Sequence, residues 1–296
     1  MRQTNYFYPK NNASCYWKQK SGGCTFCGFT ALGGKYAPSK STPPSRLIRN
    51  FRKFTLKNHD FIMKKGYLSI CPNGGMFTEV PPELRQEIYS YAGKYGIKLT
   101  YDSRAQVVLG GEEWLSHELK QACKDAISEV KVNHIVVFGL EVANDADLVK
   151  INKGTALSDF EQAANAVLSK GAGVGVNILI GPPMVEDPIR KAFETVKYAV
   201  EVLKATYVYI GACVPMGAKS KEAYNSGAWN PVSPSEASEI FRQIKLLYPD
   251  IIVDYSNQAV HMKHRKPLGV VRYSAKEQER QRQNVREMCA AVFGTA

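Results

Sequence analysis

Acidic residues are almost absent from the first 66 positions, where Asp60 stands against 13 lysines and arginines. The net charge is +12 over residues 1–66, −5 over residues 67–260 and +5 over residues 261–296. A clustered positive field favours a polyanionic partner such as RNA. A solvated basic surface explains the same charge without a partner, and both interpretations stay open.

Long apolar runs are also missing. No stretch of about 18 apolar residues occurs, which excludes a membrane-spanning helix of ordinary length. No apolar signal segment is visible at the N-terminus, so we expect a cytoplasmic protein without a membrane partner. The 296 residues, 44% of them hydrophobic, suffice for one large α/β domain or two small ones.

A second Cys-x-x-Cys pair is lacking, and the first histidine is His59. A structural zinc site usually closes with four ligands, often as two short pairs, and no nearby fourth partner is visible here. The seven cysteines are odd in number, and so long a chain does not need disulfides for stability. Zinc and unligated thiols nevertheless remain alternatives for the cysteines that are present.

Three cysteines, Cys15, Cys24 and Cys27, lie on one glycine-rich segment near the start of the chain. Eight residues separate the first two, and two residues separate the second pair. Three thiolates can hold three irons of a [4Fe–4S] cluster and leave the fourth iron open to bind a small molecule. We interpret these cysteines as ligands of such a cluster.

Short apolar runs alternate with amphipathic stretches in the middle of the chain, which is typical of βα units with a parallel sheet. Strands are predicted at residues 6–8, 67–71, 97–102, 134–140, 175–180, 206–214 and 251–254. Helices are predicted at residues 46–57, 82–95, 115–130, 158–170, 188–205, 234–247 and 276–293, with Ser158 and Ser235 as N-caps and a last helix that is basic on one face. Such a series predicts a full or partial barrel, with its chemistry at the C-terminal ends of the strands.

The residues at those strand ends form a repeated pattern. Asn73-Gly74-Gly75 follows the second strand, Ser103-Arg104 the third, Glu141 ends the fourth and Gly181-Pro182-Pro183 follows the fifth. With the cysteine segment and Ile151-Asn152-Lys153-Gly154, they resemble, in order along the chain, the motifs of the radical S-adenosylmethionine (SAM) superfamily. Within it they are most similar to the branch of archaeosine synthase and the Elongator catalytic subunit.

The resemblance implies an α/β fold, a partial (β/α)6 TIM-like barrel at residues 1–255, with a short basic extension at residues 256–296 packed on it. It implies a [4Fe–4S] cluster on the three cysteines and SAM on its open iron. Phe26 would then pack beside the adenine, backbone groups of Asn73, Gly74 and Gly75 would bind the methionine amino group, and Glu141 would bind the ribose. Arg104 or Lys153 would neutralise the methionine carboxylate, and Ser103 and Asn177 complete the implied SAM contacts.

The resemblance also implies a reaction. Reductive cleavage of SAM would release a 5′-deoxyadenosyl radical, which abstracts hydrogen from a tRNA base or base adduct in a lyase or transferase reaction. The implied partners are an electron donor of the flavodoxin or ferredoxin type, tRNA and a protein that prepares the substrate. A small metabolite or peptide substrate, or a non-enzymatic zinc module, are the alternatives.

Substrate contacts are the least transferable part of the resemblance. Gly181 stands where the family has lysine, and Gly211-Ala212-Cys213-Val214 replaces an asparagine-rich strand end. Cys71, Cys213 and Tyr209 are candidate catalytic residues, although a buried cysteine is more often a small core residue.

Overall fold

The computed structural model describes residues 3–9, 15–27, 42–72, 75–111, 117–215, 218–256 and 274–294. Within these ranges seven strands lie in one sheet in chain order. They are β1 (Tyr6–Phe7), β2 (Tyr67–Ile70), β3 (Lys98–Ser103), β4 (His134–Glu141), β5 (Gly173–Ile180), β6 (Ala205–Ala212) and β7 (Ile252–Ser256). The predicted fold class, an α/β partial barrel, is confirmed.

Helices alternate with these strands in the described ranges. They are α1 (Tyr16–Ser21), α2 (Pro44–Lys65), α3 (Met76–Glu79), α4 (Pro82–Tyr95), α5 (Ala105–Val108), α6 (His117–Glu129), α7 (Asp145–Lys150), α8 (Leu157–Leu168), α9 (Pro188–Glu201), α10 (Ala218–Asn225), α11 (Pro234–Leu247) and α12 (Ala275–Phe293). The bounds of α4 and α11 are those that the sequence predicts. None of the helices in the described ranges is both long and apolar enough to cross a bilayer.

The chain forms two compact units. The first contains Met1–Gly23, Leu32–Gly139 and Ser158–Gly175, and the second contains Cys24–Ala31, Leu140–Leu157 and Val176–Ala296. Cys15 therefore belongs to the first unit, and Cys24 and Cys27 belong to the second. The predicted division of the chain at residue 256 stays a prediction.

Helix α2 is longer than its predicted range of 46–57. Its buried stripe does not stop at Phe51 but continues through Thr55, Asn58 and Ile62. The helix ends where Gly66, at φ 74°, adopts the left-handed conformation and donates its N–H to the Ile62 carbonyl. The prediction ended too early because Asn58, the first residue after the predicted range, is polar in type, although its side chain is buried in the fold.

Both predicted N-caps are wrong. Helix α8 starts at Leu157, so Ser158 lies inside its first turn. Helix α11 is capped by Ser233, whose hydroxyl accepts the N–H of Glu236 in a complete capping box, whereas Ser235 is buried and donates to Gln281 of α12. In α11 the proline at the first helical position, Pro234, places the cap one residue before it.

The last helix does not carry the basic face that the sequence predicts. Its apolar stripe, Gln281, Val285 and Cys289, is buried as expected. Its arginines, however, pair with acids: Arg280 with Glu277, Arg282 with Glu279, and Arg286 with both Glu279 and Glu239 of α11. The positive charge of this helix is therefore largely neutralised in place.

In the first unit, the paired strands β2 and β3 have one apolar face and one polar face. Leu68 and Ile70 are fully buried on one face. On the other face, Ser69 and Thr100 are opposite each other in the parallel register, and their hydroxyl oxygens lie 2.5 Å apart. Because side chains alternate along a strand, Cys71 and Asp102 continue this polar face toward the strand ends.

Candidate active site

In the first unit, Cys15 stands immediately before α1, as its N-cap residue. Its carbonyl accepts the N–H of Lys18, which starts the helix. Burial is the largest effect on the Cys15 thiol, and it raises the pKa of that group. The Arg104 guanidinium and backbone amides of α1 lower the pKa, whereas the Glu79 carboxylate raises it. The net shift is upward. Cys15 thus faces one basic side chain, Arg104 after β3, and one acidic side chain, Glu79 of α3.

Arg104 directly follows β3 and is the N-cap residue of α5. Its side chain is buried. Its guanidinium carbon lies 5.2 Å from the centre of the Trp17 ring, within the range of a cation–π contact. The neighbouring Ser103 is also buried and donates its hydroxyl to the Arg104 carbonyl at 3.3 Å. The structure therefore brings Cys15, Trp17, Glu79 and Arg104 into one cluster.

The glycine pair after β2 is only partly described, since Asn73 and Gly74 lie outside the described residues. Gly75 precedes α3, and a Cβ atom there would lie 3.4 Å from the Thr78 hydroxyl oxygen and 3.7 Å from the Ser103 Cα. Gly75 therefore lies beside the end of β3, at distances that are ordinary van der Waals contacts for a Cβ atom. Cys71 lies on the same edge, where burial and then the charge of Asp102 raise the pKa of its thiol well above the ordinary value.

In the second unit, Cys24 and Cys27 are the ends of a tight turn closed by the Cys27 N–H donating to the Cys24 carbonyl at 3.2 Å. The turn is held by Thr25, which is buried. Its N–H and its hydroxyl both donate to the Ile151 carbonyl, at 3.0 and 3.3 Å, and its own carbonyl accepts the Ser220 N–H at 3.3 Å. The cysteine turn thus rests on the loop that follows α7 and on the start of α10.

The same loop carries Lys153, whose Nζ donates to Oε1 of Glu141 at 2.9 Å. Both side chains are about nine-tenths buried, with 9% and 11% exposure. Glu141, Asn152 and Gly154 have left-handed φ angles of 65°, 52° and 63°. Because such angles are costly for residues other than glycine, the backbone on both sides of the ion pair is held in an unusual conformation.

The remaining predicted residues of the second unit lie on β5, on β6, directly after β6 and in the cysteine turn. Cys213 is buried, and burial followed by the charge of Glu141 raises the pKa of its thiol. Tyr209 is half-buried on β6 and lies opposite Asp254 of β7 in the parallel register. Asn177 is half-buried on β5, and Phe26 is half-buried inside the cysteine turn. Of the catalytic candidates, Cys213 therefore lies near a predicted SAM-binding residue, Glu141.

A local constraint explains why Gly181 departs from the family pattern. Gly181 has a φ of 68°, and a Cβ atom there would lie 2.7 Å from Cγ2 of Val232. Its carbonyl accepts the indole N–H of Trp229 at 3.1 Å. The segment between α10 and α11 thus occupies the space next to Gly181, and no larger residue fits without moving it.

Three residues of these clusters carried no functional role in the sequence analysis. Thr25 lies between two candidate ligands, Trp17 lies two residues after another, and Glu79 lies two residues before Pro81. Their positions next to the predicted site residues indicate a role. The contacts of Thr25 with Ile151 and of Trp17 with Arg104 depend on the tertiary fold, however, and cannot be predicted from local sequence. Within the described residues, no three His, Cys, Asp or Glu side chains already stand together as a metal-binding group.

Comparison with known proteins identifies one curated relative. The chain is 28% identical over 248 residues to archaeosine synthase subunit beta of Methanosarcina acetivorans, a match that covers 81% of this chain and 66% of the relative. The chain thus spans slightly less than two thirds of that protein's length. No protein-family model matches the sequence.

Two solved structures share part of the backbone path. Elp3 of Methanocaldococcus infernus, lacking its N-terminus, is 13% identical with a TM-score of 0.49, over 97% of this chain and 64% of that one. Queuine lyase of Clostridium spiroforme, bound to SAM and queuine, is 16% identical with a TM-score of 0.48, over 86% of this chain and 93% of that one. The resemblance drawn from the motifs is confirmed to this extent: the chain is similar in sequence to archaeosine synthase subunit beta.

Proposed function

We propose that this protein is a radical SAM enzyme that binds a [4Fe–4S] cluster through Cys15, Cys24 and Cys27 and abstracts hydrogen from a tRNA base or base adduct. The observation that carries the proposal is the chain of contacts in the second unit. Thr25 fixes the Cys24–Cys27 turn to Ile151, and two residues later Lys153 pairs with Glu141. The candidate cluster ligands and the candidate SAM contacts are thereby joined through one loop.

The chemistry of the donor set fits an iron–sulfur cluster. All three candidate ligands are thiols. Eight residues separate Cys15 from Cys24 and two separate Cys24 from Cys27, and three thiolates can hold three irons of such a cluster. Burial raises the pKa of the Cys15 thiol, while the Arg104 guanidinium and the backbone amides of α1 offset part of that rise. When bound, the reduced cluster would supply the electron that cleaves the sulfonium of SAM.

The protein's own residues would bind and orient SAM. The Glu141 carboxylate accepts from Lys153 in this structure, and a carboxylate at a strand end is suited to accept hydrogen bonds from ribose hydroxyls. Lys153 and Arg104 are both buried cations, one in each unit, and either can neutralise the methionine carboxylate. Backbone groups of Gly75, which lies beside the end of β3, would bind the methionine amino group.

The RNA substrate rests on two supports. The relative is by its name a subunit of archaeosine synthase, and the basic N-terminal segment provides a field that attracts polyanions. A subunit name also supports a partner protein that prepares the substrate, and a flavodoxin or ferredoxin would deliver the electron. The protein would then act in the cytoplasm, where tRNA is available.

Hydrogen transfer tests the proposal. The anaerobically reconstituted protein would be incubated with SAM, a reductant and tRNA carrying deuterium at the modified base, and 5′-deoxyadenosine would be analysed by mass spectrometry. We expect deuterium in 5′-deoxyadenosine with labelled tRNA and none with labelled amino acids or nucleosides. Transfer from a small molecule but not from tRNA would contradict the RNA substrate while leaving the radical reaction intact.

A further inference from the structure

Helix α2 presents a stripe of basic side chains to solvent. Five residues, all exposed, form this α2 basic stripe: Arg46, Arg49, Lys53, Lys57 and Lys64. At 100° per residue they lie directly opposite the buried residues Leu47, Phe51, Thr55, Asn58 and Ile62. The one acid in the helix is Asp60, which also lies on the outer face.

The stripe is long and regularly spaced. At 1.5 Å rise per residue, Arg46 and Lys64 are about 27 Å apart along the helix, and the first four bases follow one another at about 5–6 Å. A nucleic-acid strand carries one phosphate every few ångströms along its path. A straight row of cations at this spacing therefore matches several phosphates of one strand.

Four of the five charges of the stripe, all except that of Lys57, have no carboxylate partner among the described residues. Arg52, beside the stripe, pairs with Glu87 of α4. In contrast, no carboxylate of the described residues pairs with Arg46, Arg49, Lys53 or Lys64. The other basic end of the chain behaves differently, since the arginines of α12 are paired with Glu239, Glu277 and Glu279. Helix α2 therefore carries four exposed cations in one row that no carboxylate of the described residues pairs with.

The direction of α2 places the start of the stripe near the chemistry of the first unit. The helix ends at Lys65, and after Gly66 the chain reverses into β2, so α2 runs antiparallel to β2. Phe51 and Phe54 of α2 contact Phe7, which lies opposite Ile70 at the carboxyl end of β2. The N-terminal end of the helix, with Arg46 and Arg49, therefore extends beyond the carboxyl ends of the strands. A polyanion bound along α2 would reach this edge.

We propose that the α2 basic stripe is the docking surface for the phosphate backbone of the tRNA substrate, an inference that rests on the function proposed above. A long row of exposed lysines and arginines suits phosphates, whereas the centres of protein interfaces are depleted in lysine and enriched in aromatic residues. The exposed apolar residues next to the stripe, Leu56 and Met63, are one and a half to two turns apart and form no continuous patch.

The test compares tRNA binding by three forms of the reconstituted full-length protein. These are the wild type, the stripe variant Arg46→Gln/Arg49→Gln/Lys53→Gln, and a control with the same charge change on other exposed lysines, Lys170→Gln/Lys204→Gln/Lys245→Gln. Fluorescence anisotropy would give the dissociation constant for labelled tRNA over a salt series, and 5′-deoxyadenosine formed from SAM without RNA would be measured alongside.

We expect the stripe variant to bind tRNA at least about tenfold more weakly at low salt, with a slope of log K against log[salt] lower by about 2–3, and the control to match the wild type. SAM cleavage without RNA should be unchanged in all three. Equal binding by wild type and stripe variant would overturn the docking surface alone. No tRNA binding by the wild type at low salt would overturn the RNA substrate itself.

Discussion

Thr25 donates both its backbone N–H and its hydroxyl to the single carbonyl of Ile151. The two residues are 126 positions apart, and the contact is buried. Through it, the turn between Cys24 and Cys27 is fixed to the loop that carries Lys153. Thr25 is therefore a positioning residue for the cysteine turn, while Lys153 and Glu141 are the groups proposed to contact SAM.

Substitution of Thr25 by valine should loosen this attachment. The Thr25→Val variant keeps the shape and the N–H donor but loses the hydroxyl donor, which contributes about 1 kcal/mol. We expect a protein that folds and binds iron but releases it several-fold faster to a chelator than the wild type. Thr25→Ser keeps the hydroxyl and should release iron at nearly the wild-type rate; equal rates for Thr25→Val and wild type would refute this role.

The Lys153–Glu141 pair should be sensitive to removal of either partner. Lys153→Met leaves the Glu141 carboxylate buried without its cation, and such a loss typically costs about 3–5 kcal/mol. We expect SAM binding, measured by isothermal titration calorimetry, to be weakened more than tenfold, and the melting temperature to fall. The double variant Lys153→Met/Glu141→Gln should recover the melting temperature but not the SAM affinity, which separates folding from binding.

Gly181→Ala tests the close approach next to Val232. The new Cβ would lie 2.7 Å from a stiff valine methyl at a φ of 68°, so we expect destabilisation of about 1–3 kcal/mol in chemical unfolding. Adding Val232→Ala removes the steric conflict but not the backbone strain, and should restore part of the loss. A Gly181→Ala variant as stable as the wild type would show that the segment moves aside freely.

Glu239 should make the protein sensitive to acid. Its carboxylate accepts hydrogen bonds from Arg242, Gln243 and Arg286, which lower its pKa to about 2. Since the folded pKa lies below the unfolded value, the stabilisation is present above about pH 4.5 and is lost as the pH falls toward 2. Glu239→Gln should therefore cost about 1–3 kcal/mol at neutral pH, with the difference from wild type shrinking in acid.

The control for this prediction is Glu279→Gln. Glu279 also pairs with arginines, Arg282 and Arg286, but its side chain is 58% exposed. An exposed pair contributes little, so we expect a change within about 0.5 kcal/mol at every pH. If Glu279→Gln and Glu239→Gln had the same effect, burial would not be what makes Glu239 important.

Local patterns in the sequence predict the strands and most helices because each βα unit has its own periodicity. They fail where the outcome depends on a distant partner. Thr55 and Asn58 of α2 are polar in type, so the local pattern does not predict that both are buried. The arginines of α12 predict a basic face because the local sequence does not show that Glu239 of α11 pairs with Arg286. Spacing alone also could not show that Thr25 contacts Ile151 or that Trp17 contacts Arg104.

The central claim is tested most directly by SAM cleavage in the reduced protein. The protein would be purified anaerobically, reconstituted with iron and sulfide, and incubated with SAM and dithionite, with Cys24→Ala and the buried helical Cys123→Ala as matched variants. We predict about four irons per chain and 5′-deoxyadenosine formation in the wild type and in Cys123→Ala, and loss of that product in Cys24→Ala. A colourless protein that binds zinc, or 5′-deoxyadenosine formation that survives Cys24→Ala, would contradict the account.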